Sequence, residues 1–72
     1  MMPLVMAAAG EIHTIKTVGG EGKKRRFLEG LGFVPGAEVV VLSKSSGSGS
    51  LIVGIKGSRI ALDRQAALKI LI

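Results

Sequence analysis

The sequence predicts a mostly-β fold: a small barrel of five short strands, with one short helix inserted after the first strand and one helical turn before the last. Three observations carry this. The 72 residues form short β-branched runs separated by Gly, Pro and Ser breaks. Only one stretch, Lys23 to Leu31, changes to helix-tolerant residues with helical spacing. The length allows one domain over residues 1–72, too small to house a substrate cavity of its own with ease.

The opening Met1-Met2-Pro3-Leu4-Val5-Met6-Ala7-Ala8-Ala9 is apolar but far short of the ~18–20 residues that cross a bilayer. It has no Lys or Arg ahead of its apolar stretch, so it does not read as a secretory signal. We read it as an arm or first-strand region. Gly10 to Val18, with Ile12, Ile15 and Val18, reads as a strand with an irregularity, and Gly19-Gly20-Glu21-Gly22 breaks it. In the helix that follows, Phe27, Leu28 and Leu31 share one face; Gly32 sits where a left-handed cap ends a helix, and Pro35 lies just beyond.

Val34-Pro35-Gly36-Ala37 has the residues of a type II turn, Pro and Gly at its two centres. Glu38 to Leu42 is then a strand, residues 44–50 a flexible Ser/Gly-rich loop, and Leu51 to Ile55 the next strand. Lys56-Gly57-Ser58-Arg59 is a tight hairpin turn into a strand ending at Leu62. Asp63 is an N-cap for a turn over Arg64 to Ala67, and Leu68 to Ile72 is the last strand. Closing such strands removes exposed edges, which favours an SH3-like barrel over an open sheet.

Composition excludes several functions. There is no Cys, hence no disulfide, thiolate metal site or cysteine nucleophile. Phe27 and Phe33 are the only aromatic residues, too few for reading single strands by base stacking or for lining a polyproline groove. Gly19 to Lys24 fails as a P-loop, because Thr17 stands where its first Gly belongs and Lys24 where Ser or Thr belongs. His13 is the single histidine, with Glu11 its nearest carboxylate, and the five carboxylates are scattered at 11, 21, 29, 38 and 63, so no metal site is expected within the chain. The serines lie mostly in one loop with nothing to activate them, and we assign no catalytic residue and no cofactor.

Two features remain. Lys23-Lys24-Arg25-Arg26 holds four of the ten positive charges in a chain of net charge +5, and reads as a solvated helix face, a protein-docking face, or a site for nucleic acid or lipid. The strands carry surplus apolar residues: Val40 and Leu42 oppose Val39 and Val41, and Ile52 opposes Leu51, Val53 and Ile55. The helix and the N-terminal arm are expected to cover the second face, or else a dimer or partner contact does.

The run Arg26-Phe27-Leu28-Glu29-Gly30-Leu31-Gly32-Phe33-Val34-Pro35-Gly36-Ala37-Glu38-Val39 resembles the FeoA family of small ferrous-iron transport accessory proteins. Leu51-Ile52-Val53, Gly57-Ser58-Arg59-Ile60-Ala61-Leu62 and Ala66-Ala67-Leu68-Lys69-Ile70 extend the resemblance over Gly10 to Ile72. It implies an SH3-like barrel in the bacterial cytoplasm, held near the inner membrane face by its partner, the membrane GTPase transporter FeoB. From charge and expected exposure we place that contact on Lys24, Arg25, Arg26, Phe33 and Arg59. A homodimer is the other protein partner considered. The same barrel ends iron-dependent repressors, so a basic nucleic-acid-binding or repressor-type module is the alternative, although the chain has no helix-turn-helix segment.

Overall fold

The computed structural model describes residues 1–72. In chain order it contains a 3-10 turn (Leu4–Met6), β1 (Ile12–Thr14), β2 (Thr17–Val18), α1 (Gly22–Gly30), β3 (Glu38–Lys44), β4 (Leu51–Ile55), β5 (Ser58–Leu62), α2 (Arg64–Lys69) and β6 (Ile70–Leu71). The strands form a four-stranded antiparallel sheet, β1-β3-β4-β5, and a two-stranded ribbon, β2-β6. The ladder does not run unbroken around the molecule, so the SH3-like arrangement is two facing sheets rather than a closed barrel.

Six strands replace the expected five, because the long first strand is divided. Ile15 leaves the β1 ladder, donating its N–H to the Ala37 carbonyl and accepting from the Gly36 N–H, each at 2.8 Å. The chain then resumes against β6, with Thr17 opposite Leu71 and Val18 opposite Ile70. The irregularity read between Gly10 and Val18 is therefore a strand switching sheets, with Ile15 buried at the corner.

α1 ends as the sequence dictates. Gly32 adopts φ +107°, the Gly32 N–H donates to the Glu29 carbonyl (3.0 Å) and the Phe33 N–H to the Leu28 carbonyl (3.1 Å). These two bonds make a Schellman motif, whose reversal brings the residue after the glycine back toward the last helical turn. Phe33 and Leu28 accordingly join one core. At the next turn Gly36 has φ +91° and the Ala37 N–H donates to the Val34 carbonyl at 3.0 Å, as a type II turn requires. β3 begins directly after it.

Alternation then sorts the sheet. Val39 and Val41 of β3, and Leu51, Val53 and Ile55 of β4, point into the core. They meet Phe33, Leu4, Leu62 and Ile70 there. Val40, Leu42 and Ile52 take the other face; a bulge between Val41 and Ser43 makes Leu42 the extra residue. The expectation that the helix and the N-terminal arm cover this second face is overturned. Both place their buried side chains, Leu28 and Leu4, in the inner core, and Leu42 and Ile52 stay exposed.

The termini hold each other. The Met2 N–H donates to the Ile72 carbonyl (3.0 Å), the Ile72 N–H donates to the Met2 carbonyl (2.8 Å), and Pro3 bridges to Leu71. The arm thus pairs like a strand for two residues before turning into 3-10 geometry at Leu4. Asp63 caps α2, its carboxylate accepting the Ala66 N–H at 2.8 Å. α2 runs to Lys69, further than expected, which shortens the last strand to Ile70–Leu71. The Ser/Gly loop closes as a turn, with the Ser45 N–H on the Ser50 carbonyl (2.9 Å) and the Ser48 hydroxyl between those of Ser45 (3.1 Å) and Ser50 (2.8 Å).

Candidate partner-docking site

α1 places Lys24, Phe27, Leu28 and Leu31 at i, i+3, i+4 and i+7, a single helical face. Leu28 is buried and anchors the helix, whereas Phe27 is 67% exposed. Facing this row across a cleft of about 480 Å³ are Ile60, Ala61 and Leu62 of β5, and Gln65, Ala66 and Lys69 of α2. The floor is apolar, and Lys24 and Lys69 stand as cations at its rim. Asp63 also lines the cleft, but its carboxylate is engaged in capping α2.

The five sequence-predicted residues do not form one site. Lys24 lines this cleft, and Arg25 and Arg26 are exposed on the same helix. Arg25 is paired with Glu29, Nε to Oε2 at 3.6 Å, an exposed i,i+4 pair worth only tenths of a kcal/mol. Arg59 lies elsewhere: it pairs with Gly54 in the β4–β5 ladder and lines a shallow depression on the outer face of the sheet. Phe33 is a correction. It is fully buried, at 0% exposure, and is the largest buried side chain, because the Schellman reversal turns it into the core. The aromatic residue that faces solvent is Phe27.

Sequence reasoning missed Phe27 as a surface anchor together with Ile60, Ala66 and Lys69. The signal for Phe27 was the Lys24-Phe27-Leu28-Leu31 spacing; nothing local marks β5 and α2 as the opposite wall, since they lie some thirty residues away. The charge placement on α1 is unusual for stability. Its first turn contains no acidic residue, and Lys23, Lys24, Arg25 and Arg26 crowd the end where the helix dipole is positive. The effect fades within one turn, so it falls on Lys23 and Lys24, each at a cost of about 0.3–1 kcal/mol at low ionic strength, and the carboxylate of the N-cap Glu21 offsets part of it.

His13 and Glu11 form the other titratable pair, Nε2 to Oε1 at 3.1 Å. The histidine hydrogen bond, aided by the Ala8 N–H at 3.0 Å, holds the Glu11 carboxyl below its ordinary value of 4.5. No three His, Asp or Glu side chains gather in one place within the chain.

No curated protein matches the chain, but a family model described as the FeoA domain matches residues 2–72. Among solved structures, an iron uptake regulatory protein (FeoA) is 28% identical with TM-score 0.86, covering 96% of this chain and 91% of its own. FeoA of Stenotrophomonas maltophilia complexed with zinc, described as a prokaryotic SH3 domain protein and a candidate ferrous iron transport activating factor, is 27% identical with TM-score 0.84, covering 99% and 88%. A manganese-dependent transcriptional repressor reaches TM-score 0.86 at 20% identity, over 94% of this chain and 38% of its own, and shares the fold alone. With the family model matched over residues 2–72 and solved FeoA structures superposing over 96% and 99% of the chain, the chain belongs to the FeoA family.

Proposed function

We propose that this chain is a non-enzymatic cytoplasmic accessory module for ferrous-iron uptake, which acts by docking on the cytosolic region of the transporter FeoB. The observation that carries the reading is the cleft between α1 and the β5–α2 segment. It offers an exposed aromatic anchor, Phe27, above an apolar floor, with cations at its rim. Such a combination suits a protein segment with one apolar anchor and flanking carboxylates, the anchor supplying affinity and the charges register and encounter rate. The basic first turn of α1 does not complement the helix dipole, which supports a use for these charges outside the fold.

Binding to purified FeoB at about 0.15 M salt, where weak surface electrostatics are screened, tests this. Saturable binding is expected, weakened by the double variant Arg25→Glu/Arg26→Glu and by Phe27→Ala, with the fold intact in each. Unchanged binding of both folded variants removes α1 from the contact. The repressor-type alternative is favoured by one observation, the fold shared with a manganese-dependent repressor. It predicts retention on DNA that falls steeply with salt through counterion release, with no binding to FeoB.

A further inference from the structure

The outer face of the four-stranded sheet has no use in the cleft described above. Ile12 of β1, 68% exposed, stands opposite Val40 of β3 in the ladder, and Val40 stands opposite Gly54 of β4. A Cβ at Gly54 would lie 3.0 Å from Val40 Cγ1 and 3.7 Å from Leu42 Cδ1, so glycine there lets these two side chains lie across the strand as a flat apolar surface. Ile52, also exposed, extends it along β4. No other part of the chain covers it, since the buried side chains of α1, α2 and the N-terminal turn all join the inner core.

Charge distinguishes what can cover this face. Glu38, Lys56 and Arg59 line the same depression as Ile12, Val40 and Leu42. None of the three is ion-paired within the chain, whose two ion pairs are His13–Glu11 and Arg25–Glu29. The patch therefore carries both signs beside an apolar centre, with Arg59 on the face itself and Lys56 at its end, its stem lying against Gly32. The α1 cleft differs, because its rim cations and the basic helix beside it would repel an identical surface.

A two-fold contact joins a patch to itself, so it needs both members of every complementary pair on that one patch. A two-fold axis parallel to the strands and between β3 and β4 would lay β3 of each copy over β4 of the other. Val40 would face the partner's ladder position 54, Ile12 would lie along the stem of the partner's Arg59, and Glu38 would approach the loop carrying Lys56, just beyond the Val39–Ile55 pair. Sheet-on-sheet packing of this aligned kind is a stable way to bury an apolar sheet face.

We propose that the outer sheet face, centred on Ile12, Val40 and Leu42, docks a second copy of this chain, with Glu38 of each copy meeting Lys56 and Arg59 of the other. This goes beyond the accessory reading and does not depend on it. The molecule measures only 29 × 23 × 22 Å, so the contact is at the small end of specific interfaces and the dimer is weak.

Sedimentation equilibrium of the full chain, from about 10 µM to about 1 mM, tests the proposal in the range where small interfaces associate. The apparent mass is expected to rise from 7.4 kDa toward twice that value. Val40→Ser and, separately, Glu38→Lys and the double variant Lys56→Glu/Arg59→Glu should each stay at the monomer mass, with far-UV circular dichroism confirming that they fold. Mixing the Glu38→Lys chain with the Lys56→Glu/Arg59→Glu chain should restore the higher mass, because both pairings are then again of opposite sign. Arg25→Glu/Arg26→Glu, on the other face, should self-associate as the unmodified chain does, which separates this test from that of transporter docking. A constant 7.4 kDa for the unmodified chain overturns the proposal. So does unaltered self-association of the three face variants, or failure of the mixed chains to recover it.

Discussion

Phe27 and Phe33 lie six residues apart and should respond to truncation in opposite ways. Phe33 is fully buried; a phenylalanine of ~200 Å² at ~25 cal/mol/Å² loses up to about 5 kcal/mol when cut to Ala, within the roughly 3–5 kcal/mol seen for such core changes. A domain of 72 residues has about 4–11 kcal/mol in total at 0.05–0.15 kcal/mol per residue, so Phe33→Ala leaves a protein near its unfolding threshold. Phe33→Leu, which keeps most of the volume, is the usable variant and should cost about 1–2 kcal/mol. Phe27, 67% exposed, hides only a third of its surface, and Phe27→Ala should cost about 1–1.5 kcal/mol. Urea unfolding followed by far-UV circular dichroism measures both, since the chain has no Trp or Tyr to report by fluorescence. Binding to the transporter should reverse the order, with Phe27→Ala losing about tenfold as an anchor residue does and folded Phe33→Leu losing little. The reasoning fails if Phe27→Ala destabilises as much as Phe33→Ala, or if folded Phe33→Leu abolishes binding that Phe27→Ala leaves intact.

Three further outcomes follow from single positions. Gly36→Val puts a β-branched residue at φ +91°, where no neighbour crowds a Cβ and backbone strain alone acts; a loss of about 1–3 kcal/mol is expected, and an unaltered melting temperature would refute the turn geometry. Asp63→Ala removes the carboxylate that accepts the Ala66 N–H and should cost about 0.5–2 kcal/mol, while Asp63→Asn, an equally good cap, should be close to neutral by the same melt. The Glu11 carboxyl is lowered by the His13 hydrogen bond first and the Ala8 N–H second. A folded value below the unfolded one means that its small contribution is present above the ordinary 4.5 and is lost as pH falls through the folded value. The urea midpoint of Glu11→Gln should therefore lie slightly below that of the unmodified chain at neutral pH and converge with it in acid; a constant gap would contradict the assignment.

The elements legible in the sequence are those whose cause is local. The Gly32 stop, the Pro35-Gly36 turn and the Asp63 cap each rest on bonds between residues two to five apart, as the structure shows for Gly32–Glu29, Ala37–Val34 and Ala66–Asp63. The fate of Phe33 was half legible. A glycine cap brings with it a contact between the residue after it and the last helical turn, so Gly32 already implied that Phe33 packs toward Leu28. Reading Phe33 as exposed overlooked that consequence.

The sequence by itself determined the positions of the basic helix, the turns and the alternating strands, because backbone conformation there follows from neighbouring residues. Tertiary structure alone decided that the N-terminal arm pairs with Ile72. It also decided that β5 and α2 wall a cleft beside Phe27, that Arg59 sits apart from α1, and that the outer sheet face stays bare. Each of those depends on contacts between segments thirty to seventy residues apart, where pairing is set by what the assembled core can bury rather than by any one stretch of chain.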